Sequence, residues 1–443
     1  MKKRIVLITI LVFFLHYTIS SASLQAPIIK SKSIFVSSAV TKQIIYQNNA
    51  AEKFAPGALV HIMPAIIALE RGDADQKVKI TSELSQVTTP NDLVIGLKEG
   101  EEFTVRQLVQ ASLVGNGDDA ANALALHVAN GNLPGFIEMM NKRARELGAV
   151  NTNFVNVTGN HDANQYTTAE DIALIYRKAY SMPTLQTTLN TKTAVLPATE
   201  FAQERAARTN NYVADNYLQT KYFYSYATGG KVGYRGTTVC NAVVFANKGG
   251  ADVMCVVMGG SKVGDDIMSL YDARTGLEYV FDNYKLENTI VLGDIVYDSK
   301  VSGAKGRDKL NLVADDSLNV LVEKENDTPV QKEISTTKSS FRAPIYKGET
   351  LGALKVFYND SIIDEIPLVA SENIQATAFG ALGGALAIIF GSWIFRILLL
   401  LLVIFMGYKA FYVNPKRRRE ARKLKRRMVA QERRNRSSDI DML

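Results

Sequence analysis

Few side chains in this 443-residue chain are equipped for chemistry, and their spacing limits what they can do. Ser112, Thr228, Cys240 and Cys255 are possible nucleophiles, but none has a base at a diagnostic spacing. His61, Asp118, His127, His161 and Asp162 are chemically able to hold a metal, yet they match none of the spaced ligand patterns. No metal and no cofactor is therefore expected. Four histidines and two cysteines leave little material for such a site, and two cysteines exclude a disulfide-stapled scaffold. Cys240 and Cys255 fall on apolar segments that read as neighbouring strands. They either pair or stay as two buried thiols, and the strand register decides.

The elements that must position these groups follow from periodicity. Ser33 to Ala50 reads as two strands around a turn. Ile62 to Glu70, Thr104 to Ser112 (with Thr104 as N-cap), Asp118 to Ala129, Phe136 to Leu147 and Thr168 to Tyr180 read as helices. Strands return at Val239 to Ala246 and Val253 to Met258, and a helix follows near Ser269 to Phe281. Helices enclosed between early and late strands predict one sheet completed by both ends of the domain. Beyond it, Thr289 to Val296, Lys309 to Val313, Leu318 to Val322, Lys332 to Ser335 and Leu354 to Tyr358 predict a small all-β domain.

Charge and hydropathy describe the ends. The formal net charge is +7, but residues 414–443 hold twelve Lys/Arg against four Asp/Glu, so the basicity is a tail and no nucleic-acid partner is expected. Residues 1–23 have a basic start, an apolar run from Ile5 to Ile19, and Ser21-Ala22-Ser23. That is the pattern of a secretory signal peptide, with an uncleaved anchor as the alternative. A second apolar block, Phe379 to Val413, is divided by Arg396. The preferred frame places the transmembrane helix at 397–413 and an interfacial segment at 379–395, whereas a frame over 388–408 would put Arg396 near mid-bilayer. Lys416-Arg417-Arg418-Arg419 after the span predicts a cytoplasmic tail, 414–443, and an extracytoplasmic body.

Several separated blocks, in one order, resemble the serine D-alanyl-D-alanine carboxypeptidases, the low-molecular-weight penicillin-binding proteins of peptidase family S11. They are Ser33 to Asn48, Asn151-Thr152-Asn153-Phe154-Val155-Asn156 with Gly159, and Tyr166-Thr167-Thr168-Ala169-Glu170-Asp171. With them go Ala227-Thr228-Gly229-Gly230-Lys231-Val232-Gly233-Tyr234 and Asp272-Ala273 onward to Tyr284. The resemblance implies an α/β (α+β) penicillin-binding, serine β-lactamase-like domain over 27–265, with an antiparallel sheet and a helical part. A connecting helix at 266–286 and a β domain at 287–374 follow, before the C-terminal membrane anchor.

The same resemblance locates three motifs, and each departs from the family's chemistry. The serine nucleophile and its lysine base fall on Ala58 and His61 of Pro56-Gly57-Ala58-Leu59-Val60-His61. A methyl group cannot form an acyl-enzyme, and a histidine there has no adjacent hydroxyl to activate. The Ser-x-Asn loop falls on Asn116-Gly117-Asp118. The Lys-Thr-Gly strand falls on Lys231-Val232-Gly233, so Lys231 and Gly233 are the retained ligand-binding positions, with a merely solvated Lys231 as the alternative. With 58, 61, 116, 118 and 232 all changed, the expectation is a non-catalytic, membrane-anchored homologue that binds peptidoglycan stem peptide or an envelope protein. The alternative is a serine-type D-Ala-D-Ala carboxypeptidase acting by replacement chemistry. Oligomeric state is not legible.

Overall fold

The structure is a computed structural model that describes residues 24–235, 239–306, 308–326, 328–378 and 392–440. The expected signal peptide and residues 379–391 of the expected interfacial segment lie outside the described residues. The chain divides into two compact units. The first runs through Val291 and adds Ser317–Glu333 and Leu354–Glu365. The second comprises Leu292–Asp316, Ile334–Ala353 and the residues from Ile366 onward.

The first unit is built on an antiparallel sheet whose strands run in the spatial order Ile44–Asn48, Ser33–Ser38, Ala251–Val263, Val239–Lys248 and Ala227–Arg235. The earliest strands lie beside the last one, so both ends of the domain complete the sheet. The central strands are mostly apolar because both faces are covered, and pleating sends alternate residues to opposite sides. Val243, Phe245, Met254 and Val256 pack into one core. Ala242, Val244, Cys255 and Val257 pack into the other.

Helices cover both faces. They are α1 (Ile62–Arg71), the short α2 (Glu83–Val87), α3 (Val105–Leu113), α4 (Asp118–Val128), α5 (Leu133–Glu146), α6 (Ala169–Tyr180), α7 (Pro183–Asn190) and α8 (Met268–Asn283). Ile66, Leu108, Leu124 and Ile172 join the first core, while Leu270, Leu277 and Val280 of α8 join the second. Thr104 caps α3 as expected: its hydroxyl accepts from Gln107 N at 3.1 Å, and Gln107 Oε1 accepts from Thr104 N at 2.8 Å. Two otherwise unpaired backbone donors are thereby satisfied.

The cysteine question is decided by register. Cys240 lies opposite Gly260, and Cys255 lies opposite Val244. The two residues are not neighbours across the ladder, and both thiols are free and buried. Burial pushes Cys240 up to about 12 and raises Cys255 well above the ordinary thiol range, so neither supplies a thiolate nucleophile.

The β domain is all strand, as expected, but its segmentation differs. The expected strand Thr289 to Val296 is two strands, Tyr284–Ile290 and Ile295–Ser302, separated by a turn through Gly293 at φ 87°. A left-handed turn residue inside an apolar run ended the strand where hydropathy alone continued it. Six strands form one sheet in the order Gln331–Thr336, Thr350–Tyr358, Ser361–Ala370, Lys309–Ala314, Ile295–Ser302 and Phe341–Arg342. Ser361–Ala370 escaped the sequence reading because Asp364, Glu365 and Pro367 break its alternation. Tyr284–Ile290 pairs separately with Leu318–Glu323.

The C-terminal helix starts at Trp393 rather than Ile397, where the Ser392 hydroxyl accepts from Phe395 N at 3.1 Å. Arg396 therefore lies in its first turn, at the end of the apolar run. Helix Trp393–Tyr408 passes through a π-helical turn, Lys409–Val413, into helix Asn414–Ile440. Among the described residues one helix, Phe395–Gln431, is long and apolar enough to cross a membrane.

Replacing Thr104 by Ala removes half of the capping box and should lower unfolding free energy by about 1 kcal/mol. Urea unfolding of the protein reads this directly; an unchanged midpoint would show that the cap is dispensable.

Candidate functional site

The segment carrying Ala58 and His61 is a single 3₁₀ turn, Gly57–His61, immediately ahead of α1. Three residues per turn bring Ala58 and His61 onto one side. The turn's entry is clamped by Asn241, a buried polar side chain among the apolar residues of strand Val239–Lys248. Its Nδ2 donates to Ala55 O at 2.9 Å and Pro56 O at 3.1 Å, and its Oδ1 accepts from Gly259 N at 2.9 Å. Tyr176 Oη donates to Leu59 O at 3.2 Å from below.

Close backbone approach defines the rest. Gly57 has φ 57°, and a Cβ there would lie 2.7 Å from Tyr234 O. A Cβ on Gly159 would fall 2.2 Å from Gly57 O. The edge strand Ala227–Arg235 presses equally close at Gly233, where a Cβ would meet Leu59 N at 2.8 Å. Gly233 is thus required by the packing of the strand against the turn. The loop bearing Gly159 is organised by Gln165, whose Oε1 accepts from Val155 N and Asn156 N, and by Asn156 Oδ1, which accepts from Gly159 N at 2.8 Å.

His61 lies under this arrangement, fully buried. Its Nε2 is 2.7 Å from Asp118 Oδ1 and 3.1 Å from Thr158 O, and its Nδ1 is 3.1 Å from Ser112 O. Both ring nitrogens are occupied by protein oxygens, so the ring offers no free base toward the cleft. His61 and Asp118 are in direct contact and form an ion pair whenever the ring is protonated. Asp118 also opens α4 and accepts from Leu93 N at 2.8 Å, while Asp119 accepts from Ile95 N, Gly96 N and Leu97 N. A carboxylate pair at a helix N-terminus thereby ties down the loop over the cleft. Asn116 holds a left-handed backbone at φ 55°.

Lys231 is neither solvated nor open to the cleft, and only 1% of it is exposed. Its ammonium donates to Ser112 O and Leu113 O at 3.0 Å each and to Asn116 Oδ1, which uses all three N–H groups. The solvated alternative is corrected: an ammonium under the sheet edge requires this full set of acceptors. Burial pulls its pKa down to about 7, and the Asp118 carboxylate opposes that shift. Val232 is buried on the edge strand. It packs with Val213, Tyr222 and Val244 on the opposite side of the sheet, because pleating turns alternate residues away from the cleft.

Above these groups lies a cleft of about 310 Å³. Ala58 sits half-buried in its wall with Asn116, Asp118, Asn160, Asn210 and Tyr234. Ser112 is fully buried in α3, and its hydroxyl has no hydrogen-bond partner among the described residues, so it contributes its carbonyl rather than a nucleophile. His161 lines the cleft with Asp118, whereas His127 lines a different pocket beside Lys77 and Lys79. The residues proposed from sequence as possible metal ligands are therefore not brought together as one set. Sequence reasoning missed Asn241 and the Thr158 carbonyl. An Asn among the apolar residues of a strand was the available signal for the first.

Lys231 makes stability depend on pH with a definite sign. The folded-state pKa near 7 lies below the unfolded lysine value, so between those values the unfolded chain binds more protons and stability rises with pH. The unfolding free energy of the wild type, read from urea titrations, should climb more between pH 7 and 9 than that of Lys231→Met, by an amount on the order of a few kcal/mol. Equal slopes would show that the buried ammonium does not titrate in this range.

A family model described as D-alanyl-D-alanine carboxypeptidase matches residues 20–262, and one described as penicillin-binding protein 5, C-terminal domain, matches residues 284–376. D-alanyl-D-alanine carboxypeptidase DacF of Bacillus subtilis (strain 168) is 26% identical over 355 residues, covering 79% of this chain and 87% of that protein. Among solved structures, a peptidoglycan synthesis regulatory factor (PBP3) from Streptococcus pneumoniae superposes with TM-score 0.66 at 20% identity, over 79% of this chain and 100% of its own. Penicillin binding protein 5 from Haemophilus influenzae superposes with TM-score 0.62 at 21% identity, over 80% and 100%. At these identities the superpositions establish the fold.

Proposed function

The chain belongs to the D-alanyl-D-alanine carboxypeptidase family, peptidase S11, and we propose that it is a non-catalytic member acting in peptidoglycan or cell-envelope organisation. It binds wall stem peptide or an envelope protein through the preserved cleft while anchored to the membrane. The observation that carries this reading is the methyl group of Ala58 at the nucleophile position, half-buried in the cleft wall. The enclosure of His61 supports it, because a base whose two nitrogens both contact protein oxygens is not available to activate water. Lys231, with its three donors committed, acts in this reading as a pillar under the cleft rather than as a ligand contact.

A second reading is a serine-type D-Ala-D-Ala carboxypeptidase. The comparisons favour it: the family model and DacF carry that activity in their descriptions, and the cleft itself is retained. D-alanine release separates the two. The wild-type ectodomain should release none from a D-Ala-D-Ala stem peptide above a heat-treated control, and neither Ala58→Ser nor His61→Lys should rescue it alone. The double variant should acquire slow acylation by a β-lactam at most. Enzyme-concentration-dependent D-alanine release by the unmodified chain would establish the hydrolase.

The membrane reading places the body outside the cytoplasm, with residues 1–23 as export signal and the basic tail inside. Protease added to intact cells should remove the folded body and leave an epitope after Asn414 protected. Digestion of that epitope in sealed cells would reverse the orientation.

A further inference from the structure

The helix that follows the apolar span is built to lie on a charged surface. Residues 416–427 contain nine Lys/Arg and one acid, Glu420. They belong to helix Asn414–Ile440, and the stretch is solvent-exposed. Ala421, Leu424 and Met428 follow the i, i+3, i+7 spacing that puts them on one face. Leu424 and Met428 are each 62% exposed, so the described chain leaves this apolar seam uncovered.

Between the span and the basic helix the regular hydrogen-bond ladder changes. Lys409–Val413 is a π-helical turn, and Pro415 follows within two residues. Proline inside a helix removes a backbone donor, and π turns and prolines are the usual causes of sharp helix bends. Geometry gives the bend a consequence. At 1.5 Å per residue, a helix continuing straight out would carry Arg427 about 20 Å beyond Val413. That exceeds the Debye length of ~10 Å, so most of the charge would lose contact with the surface.

We propose that helix Asn414–Ile440 folds down at the Lys409–Pro415 hinge and docks along the anionic lipid headgroups of the leaflet where the span ends. Ala421, Leu424 and Met428 face the acyl boundary, and the flanking Lys/Arg residues face phosphate. Charge complementarity and covalent continuity with the span select lipid as the occupant. Anionic lipid attracts a juxtamembrane Lys or Arg by about 1 kcal/mol, so each removed charge shifts docking about fivefold. This holds for either orientation of the protein across a membrane.

The test uses the full-length protein in nanodiscs, with single cysteines Leu424→Cys or Arg426→Cys carrying an environment-sensitive fluorophore. The native Cys240 and Cys255 are buried and leave the label site unique. A lipid bearing a nitroxide just below its headgroup should quench the label at 424 in phosphatidylglycerol-containing discs. It should not do so in phosphatidylcholine discs, and the label at 426, on the opposite face, should remain bright. Raising the salt from ~0.1 to ~1 M shortens the Debye length to ~3 Å and should release the quenching. Replacing Arg417, Arg418 and Arg419 together by Gln should shift docking about a hundredfold. Equal quenching in neutral and anionic discs, equal quenching at 424 and 426, or shielding of 424 by duplex DNA but not by anionic lipid would each overturn the proposal.

Discussion

The structure depends on one close approach: the edge strand Ala227–Arg235 lies against the Gly57–His61 turn with no side chain between the backbones. Gly57, Gly159 and Gly233 make this possible, since a Cβ at any of them would fall within 2.8 Å of backbone. Everything else at the cleft follows from that contact. It sets where Ala58 stands, it closes the roof over His61, and it brings the Lys231 ammonium beneath the loop between α3 and α4.

Once those backbones are so near, the polar groups underneath have lost water and must satisfy one another. His61 takes Asp118 and two carbonyls, and Lys231 takes two carbonyls and the Asn116 amide oxygen. The Ser112 carbonyl contacts both His61 Nδ1 and the Lys231 ammonium and joins the two sets. Such a network is high-stakes: removing one member leaves the others buried without partners, whereas the intact set defines a single arrangement. Mechanically it also fixes α4, because Asp118 and Asp119 reach back to the loop at Leu93 to Leu97. The result is a formed cleft whose strongest side chains face inward, toward the protein.

The fold survives with altered motif residues because most of its core lies elsewhere, Val232 being the changed position that joins a hydrophobic core. The sheet is buried on both faces by apolar side chains from α1, α3, α4, α6 and α8, and those contacts are independent of what stands at position 58. Chemistry at the motif positions and stability of the framework are therefore separable in this chain. His61, Asn116, Asp118 and Lys231 are the exceptions, being at once motif positions and buried members of the polar network.

What the sequence determined by itself was whatever rests on local pattern. The helices α1, α3, α4, α5, α6 and α8, the Thr104 cap, the apolar span and the basic tail are all set by residue types at short spacing, while the altered motif residues were located by the family resemblance. Alternation and 3.6-residue periodicity are properties of neighbours in the chain, so they are visible without coordinates. Tertiary structure decided the rest. Pleating turned Val232 away from the cleft, strand register separated Cys240 from Cys255, and depth committed the three Lys231 donors to protein oxygens. Asn241 became the clamp on the Gly57–His61 turn only because strand pairing carries it to Ala55 and Pro56, residues 185 and more positions away in sequence. Those outcomes depend on which distant backbones meet and on what water they exclude, and that information is absent from any local window of sequence.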